Sequence, residues 1–190
     1  MKSTFIIILT FLSLILYGQN NMNEQLNRLF LDLDLSLNLK DMVQKSSLKF
    51  EYGVNQTVNW GTNNNNTGDY IATFDKNPFM DAKIKKGVIT IIPGKQDAQA
   101  NSFSINERVW FNSKVEMVNE YNKICTSFEK LGYKVKNTIV QNDNFETRSE
   151  NTEILMEFGS KKSTLTIGYY LPLKGENNKE YVLAFIYTNN

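Results

Sequence analysis

Hydrophobic side chains recur at two spacings along this chain, and each spacing assigns a kind of element. Between Ser113 and Leu131, the residues Val118, Tyr121, Cys125 and Phe128 fall three or four positions apart, with Met117, Ile124 and Leu131 beside them. That period lines one side of a helix. Ser113 and Glu116 have the spacing of a capping box, in which a hydroxyl and a carboxylate satisfy exposed amides of the first turn. Gly132 follows as a C-terminal stop.

Beyond the helix the pattern shortens to strands. Tyr133 to Gln141, Thr152 to Phe158, Thr164 to Leu171 and Tyr181 to Tyr187 are strand-like, with a polar break over Asn142 to Glu150. The short connections Gly159-Ser160-Lys161-Lys162 and Lys174-Gly175-Glu176-Asn177-Asn178 require antiparallel neighbours. The second half of the chain therefore reads as a helix followed by an antiparallel meander, with the Cys125 stripe covering one face of the sheet.

The first half sends two signals at once. Leu31, Leu33, Leu35, Leu37 and Leu39 alternate with polar residues, which is a strand period. Leucine is not β-branched, however, Asp and Asn disfavour sheets, and Leu26, Phe30, Leu33 and Leu37 also make a helical stripe. Helix in two pieces across Asn23 to Ser46 is the reading that respects both. Strands follow at Leu48 to Gly53, Tyr70 to Phe74, Ala82 to Lys85 and Val88 to Ile92, the last two hinged at Lys86-Gly87. A polar loop, Asn55 to Asp69, lies between the first two, and Pro93-Gly94 with Lys95 to Ser104 separates the halves.

The fold class expected is α+β, with helices packed on an antiparallel β-sheet, and the two halves have the element order of two similar α+β units in tandem. Residues 19–104 form the N-terminal unit and 105–190 the C-terminal one, whether as two units or one compact domain. This order is similar to that of the two-unit secreted β-lactamase inhibitor proteins and the single-unit cystatins, although no motif of either family occurs in the chain.

The N-terminal residues change the picture of where the protein works. Lys2 precedes an apolar run from Phe5 to Tyr17, interrupted only by Thr10 and Ser13 and ending at Gly18-Gln19. This is the pattern of a secretory signal peptide, 1–18, and the run is shorter than the ~20 residues of a spanning helix. Residues 19–190 are thus expected to be exported, periplasmic or secreted, and free of the membrane after cleavage. Cleavage removes one lysine and no acid, leaving acidic and basic side chains balanced. A balanced charge offers no field for nucleic acid. The densest basic group, Lys83, Lys85 and Lys86, reads as a solvated face.

Composition also removes several chemistries. The chain has no histidine, which excludes Ser-His-Asp and Cys-His hydrolases and histidine-rich zinc sites. Cys125 is the single cysteine, so no internal disulfide forms, and its place in an apolar stripe marks it as a core residue. Asp32 and Asp34 after Leu-Phe-Leu resemble the metal-holding DxD pattern of glycosyltransferases, but no nucleotide-binding βαβ unit accompanies them. A calcium loop over Asp32, Asp34, Ser36 and Asn38 lacks the central glycine and has Val43 where the twelfth ligand should be glutamate. No catalytic residue, metal or cofactor is assigned, and the protein is expected not to be an enzyme.

What remains is contact chemistry. Trp60 beside the Asn-rich run Asn63, Asn64, Asn65 and Asn66, together with Tyr70, combines rigid aromatic area with adaptable donors and acceptors. These residues are the candidate binding surface. The pair Trp110 and Phe111, ahead of the main helix, offers aromatic area of the same kind, but Trp110 is expected rather to staple the helix entrance to the core. The function expected is that of an exported, non-catalytic binding or inhibitor-like protein with another protein as partner. The alternative is a small-ligand or glycan-binding module with a pocket between helix and sheet, and third comes an envelope structural protein.

Overall fold

The computed structural model describes residues 24–53, 68–94, 102–131, 135–142, 147–158, 161–170 and 180–189. The leader 1–18, Gly132 and the loop residues Trp60 and Asn63 to Asn66 lie outside these residues. In chain order the elements are helix α1 (24–29), α2 (Leu39–Lys45), strands β1 (Glu51–Gly53), β2 (Asp69–Phe74), β3 (Lys86–Pro93) and β4 (Phe103–Phe111), helix α3 (Lys114–Lys130), and strands β5 (Val135–Asn142), β6 (Thr147–Phe158), β7 (Lys161–Tyr170) and β8 (Tyr181–Asn189). The eight strands make one sheet in the order β1-β2-β3-β4-β8-β7-β6-β5, every neighbour antiparallel. Helices on an antiparallel sheet are the α+β class expected from the sequence.

Two meanders, β1 to β4 and β5 to β8, meet where β4 pairs with β8 over nine registered positions from Phe103↔Asn189 to Phe111↔Tyr181. The division drawn between residues 104 and 105 falls inside β4, and the sheet runs on across it. Strand β4 itself was not legible as a strand. Its sequence Phe-Ser-Ile-Asn-Glu-Arg-Val-Trp-Phe alternates without a break, with Phe103, Ile105, Glu107, Val109 and Phe111 buried. An acid at the centre of the buried set hides the period.

Helix α3 forms as its sequence requires. Ser113 is the N-cap, its hydroxyl accepting from the amides of Val115 (3.2 Å) and Glu116 (3.4 Å). Leu131 is the C-cap. The buried positions are Met117, Glu120, Tyr121, Ile124, Cys125 and Phe128, so the stripe is rotated from the predicted one and Val118 is only half-buried. The helix lies over β7, β8, β4 and β5, with Tyr121 edge-on to Tyr169 at 5.0 Å between ring centres.

The span 23–46, expected to be helix in two pieces, is helical only over 24–29 and Leu39–Lys45; residues 30–38, with Leu31, Leu33, Leu35 and Leu37, form a non-helical link that neither the helix nor the strand period describes. In this link Leu31 and Asp32 both take φ near 60°, a left-handed conformation that L-residues other than glycine enter at a cost of about 1 kcal/mol or more. The break lets Leu26, Leu29, Phe30, Leu33, Leu39 and Met42 all point into the same core. Asp32 is exposed, so only its backbone matters there. Asp32→Gly is expected to raise stability by roughly 0.5–1 kcal/mol in a denaturant titration; a loss would show that the aspartate stabilises the turn by some contact of its side chain.

Other expectations are corrected. Ala82 to Lys85 is an irregular connection and not a strand: the Ala82 amide donates to the Glu120 side chain, and the backbone meets the ladder only at Lys85, whose amide donates to the Trp110 carbonyl at 2.7 Å. Lys86 and Gly87 belong to β3 and are no hinge; Gly87 is where the Phe74 ring lies, and a Cβ there would stand 2.1 Å from it. The polar residues 147–150 begin β6 and do not form a break, since pairing with β5 and β7 asks nothing of side-chain polarity. Among the described residues no helix is long and apolar enough to cross a membrane.

Candidate functional site

Among the described residues, helices cover one face of the sheet and none covers the other. Phe30 lies 5.9 Å from Tyr187 and Tyr121 packs on Tyr169, both on the face that carries Phe103, Ile105, Val109, Leu165, Ile167, Leu183 and Phe185. All three helices are therefore on this inner face. No described helix packs on the outer one, whose residues are the alternate positions of the same strands.

The outer face has relief. Gly168 and Ala184 are directly opposed on β7 and β8, and Ala184 in turn opposes Arg108 on β4. The two small residues are buried between their neighbours, Ala184 at 8 % exposure. One side of this floor is the row Tyr170, Val182 and Trp110, and the other is Thr166, Ile186 and Asn106. Four residues along a strand separate the rows, about 13 Å at the usual rise. Tyr170 and Ile186 stand on these opposite rims at 38 % and 41 % exposure, among the large hydrophobic side chains most open to solvent in the described residues.

Trp110 belongs to this rim and does not staple the helix entrance. Position 110 points outward in the register, and the core place goes to Phe111. The indole Nε1 donates to Glu180 Oε2 at 3.0 Å, and Lys86 Nζ sits 4.5 Å above the ring centre while pairing with Glu180 at 3.7 Å. These contacts hold the indole in one orientation. A hollow of about 430 Å³, lined by Thr73, Phe74, Asp75, Lys85, Lys86, Gly87 and Val88, opens at the same end of β2 and β3. It does not lie between helix and sheet, where a ligand pocket was expected.

Of the predicted binding residues the structure describes Tyr70. It is half-buried in β2, its ring 5.0 Å from that of Tyr52 on β1, which is 65 % exposed. Tyr52 Oη accepts from the Gly68 amide at 3.2 Å. The two tyrosines form the stem from which the Asn-rich loop departs.

The inner face holds polar groups that no sequence pattern flagged. Glu107 is fully buried among apolar side chains, Cα-paired with Ile89 and Phe185. Asn77 Nδ2 donates to Glu107 Oε1 at 2.8 Å and to the Leu29 carbonyl at 2.9 Å, while Glu107 Oε2 is enclosed without a hydrogen-bond partner. Burial pushes the Glu107 carboxyl well above the usual carboxylate range, and the Asn77 bond offsets this only in part. Burial likewise raises the Tyr187 phenol, which donates to Ser163 Oγ at 3.3 Å.

A second buried acid, Glu120 on α3, has a structural assignment. Its Oε1 accepts from the amides of Asp81 (2.9 Å) and Ala82 (2.7 Å), and Lys123 approaches Oε2 to 3.6 Å while pairing with Asp81 at 2.7 Å. The residues of the weighed calcium loop are on the surface: Asp32 and Asp34 are exposed, and Asp34 Oδ1 accepts from Ser36 in a local turn. Among the described residues no three acidic or thiol groups converge in a way that would hold a metal. Cys125 is buried in the α3 core.

Comparison with protein-family models, with curated proteins and with solved structures finds no match to this chain.

Proposed function

We propose that the protein is an exported, non-catalytic binding protein that engages another protein through the outer face of its sheet. The observation that carries this is the placement of Tyr170 and Ile186, both substantially exposed, on opposite rims of the Gly168–Ala184 floor. A large apolar side chain left in water on a regular sheet gains free energy only when something covers it. A floor of two small residues between such rims suits one protruding anchor side chain of a partner, the arrangement in which few residues carry most of the affinity. Trp110, oriented by Glu180 and Lys86, adds aromatic area at the rim with little further loss of side-chain freedom. The balanced charge of residues 19–190 favours shape and apolar contact over a charge-driven association.

The Tyr52–Tyr70 stem supports the loop carrying Trp60 and Asn63 to Asn66 as a second contact region at the edge of the same sheet. Affinity capture with immobilised residues 19–190 from exported fractions, against a denatured bait, tests the reading. A partner retained by the native bait is expected to bind Ile186→Asp and Tyr170→Ala at least tenfold more weakly. Unchanged affinity in both would remove the outer face from the reading, and loss on Trp60→Ala alone would move the contact to the loop.

A further inference from the structure

The connection between β2 and β3, residues 75–85, crosses the inner face and is fastened near both ends, by its own Asn77 at one and by side chains of α3 at the other. Its near end is held by Asn77, whose amide group bonds Glu107 in the sheet and the Leu29 carbonyl at the end of α1, and whose Oδ1 accepts from Phe79 N at 2.8 Å. Its far end is held by Glu120 and Lys123 of α3, the latter also donating to the Phe79 carbonyl at 3.1 Å. The two fastenings differ in kind. At the far end a carboxylate meets two amides and an ammonium. At the near end the Glu107 carboxyl sits in an apolar surround; like Glu120 it has one oxygen without a hydrogen-bond partner, but among the described residues no cation stands against it as Lys123 stands against Glu120.

We propose that Glu107 and Asn77 form a proton-dependent latch: with Glu107 protonated the near end of the connection is closed on the sheet, and loss of that proton releases it, with the Glu120 bonds to the Asp81 and Ala82 amides as the hinge. A buried carboxylate without a counter-ion is costly, and one neutral amide bond does not compensate for the lost water. Water reaches Oε2 at least expense if the irregular segment over it lifts, since the strands on either side are locked by their ladders. Lifting frees Asn77, breaks the bonds of Arg28 to the Pro78 carbonyl and of Lys123 to the Phe79 carbonyl, and exposes Phe79, which is buried when the latch is shut.

Ionisable groups on the surrounding elements do not supply the missing cation. Arg28 of α1 is exposed and donates to the Pro78 carbonyl at 3.3 Å. Asp75, Lys76, Asp81, Lys83 and Lys85 of the connection are exposed. On α3, Lys123 is committed to Asp81 and Glu120, and the inner-face Tyr187 bonds Ser163. Burial is the dominant influence on Glu107, and it raises the folded-state value above that of the unfolded chain. Folding therefore retains a proton that the unfolded chain releases. The contribution of Glu107 to stability is complete in acid, below the unfolded value, and is lost as pH climbs through the folded value.

Hydrogen exchange of the Phe79 and Met80 amides, both bonded to Asn77, reads the latch directly. Protection in the wild type relative to Glu107→Gln at the same pH is expected to fall by up to tenfold for each pH unit above the titration of Glu107, while the Ile89 and Ile105 amides stay equally protected. A ratio that is constant from pH 5 to 9 overturns the latch. Should the glutamine variant not fold, infrared spectroscopy of the wild type decides: a protonated carboxyl band at neutral pH that disappears together with Phe79 and Met80 protection supports it. Absence of that band, or its loss with protection intact, refutes it.

Discussion

Phe30→Ala is expected to destabilise the protein by about 3–5 kcal/mol, a large share of the 5–15 kcal/mol that holds a domain folded. Phe30 has no solvent exposure and packs on Tyr187, which in turn meets Phe103 at 6.3 Å. The side chain sits where α1 ends and the chain turns through Leu31 and Asp32. Helices of six and seven residues have no stability alone, well below the ~12–15 residues at which isolated helices become marginal. What holds α1 and α2 is the apolar set that they insert beneath the sheet, and Phe30 is among its largest members. Removing it leaves a cavity and withdraws the support for two strained residues. Urea unfolding followed by circular dichroism measures the loss. A change under 1 kcal/mol would mean that the segment is a loose cover and not part of the core.

The second large effect is expected at Glu120. Glu120→Ala removes the acceptor shared by the Asp81 and Ala82 amides and one of the two carboxylates beside Lys123. Amide donors left fully enclosed without acceptors cost about 1–3 kcal/mol each; these two are part-buried and partly open to water, so the loss should be about 2–3 kcal/mol. Glu120→Gln keeps a carbonyl oxygen for the two amides and should cost roughly 1–2 kcal/mol, the charge interaction alone. The exposed Lys123–Asp81 pair adds little, because Asp81 is 84 % exposed and water screens it. Thermal melts of the two variants separate the terms. Equal losses would assign the effect to charge, and no loss in either would leave the 81–82 backbone held by its neighbours.

The two acids show how far residue patterns reach. Glu120 lies in the apolar stripe of α3, one position before Tyr121, and reads along the chain as a polar residue at the margin of an amphipathic helix. Only the approach of the 81–82 backbone, thirty-eight or more residues away in sequence, makes it a fastening. Glu107 goes further, since it concealed an entire strand. Period-two alternation in β4 is unbroken in the structure, but the eye or any hydropathy scale meets an ionisable residue at its midpoint. Its partner Asn77 is thirty residues away.

Tyr170 and Ile186 were legible as strand residues, and their strands fall within one to two residues of the expected ends at most boundaries. Which face they occupy was not, because β7 and β8 carry apolar residues on both sides: Leu165 and Ile167 inside, Tyr170 and Ile186 outside. Face assignment waits on where the helices pack. Trp110 was misread for the same reason, since Trp110 and Phe111 are adjacent and equally apolar, and a shift of one residue exchanges core and surface.

By itself the sequence determined the elements whose signals are local. The capped amphipathic helix α3 and the antiparallel order imposed by short connections follow from spacing, caps and turn length within a few residues. The tertiary structure decided the rest: that β4 and β8 join two meanders into one sheet, that Tyr170 and Ile186 are left exposed on the face without described helices, and that a carboxyl lies enclosed under Asn77. Those outcomes depend on which distant backbone or side chain arrives to cover a polar group or leave an apolar one uncovered. Local periodicity carries no record of that arrival.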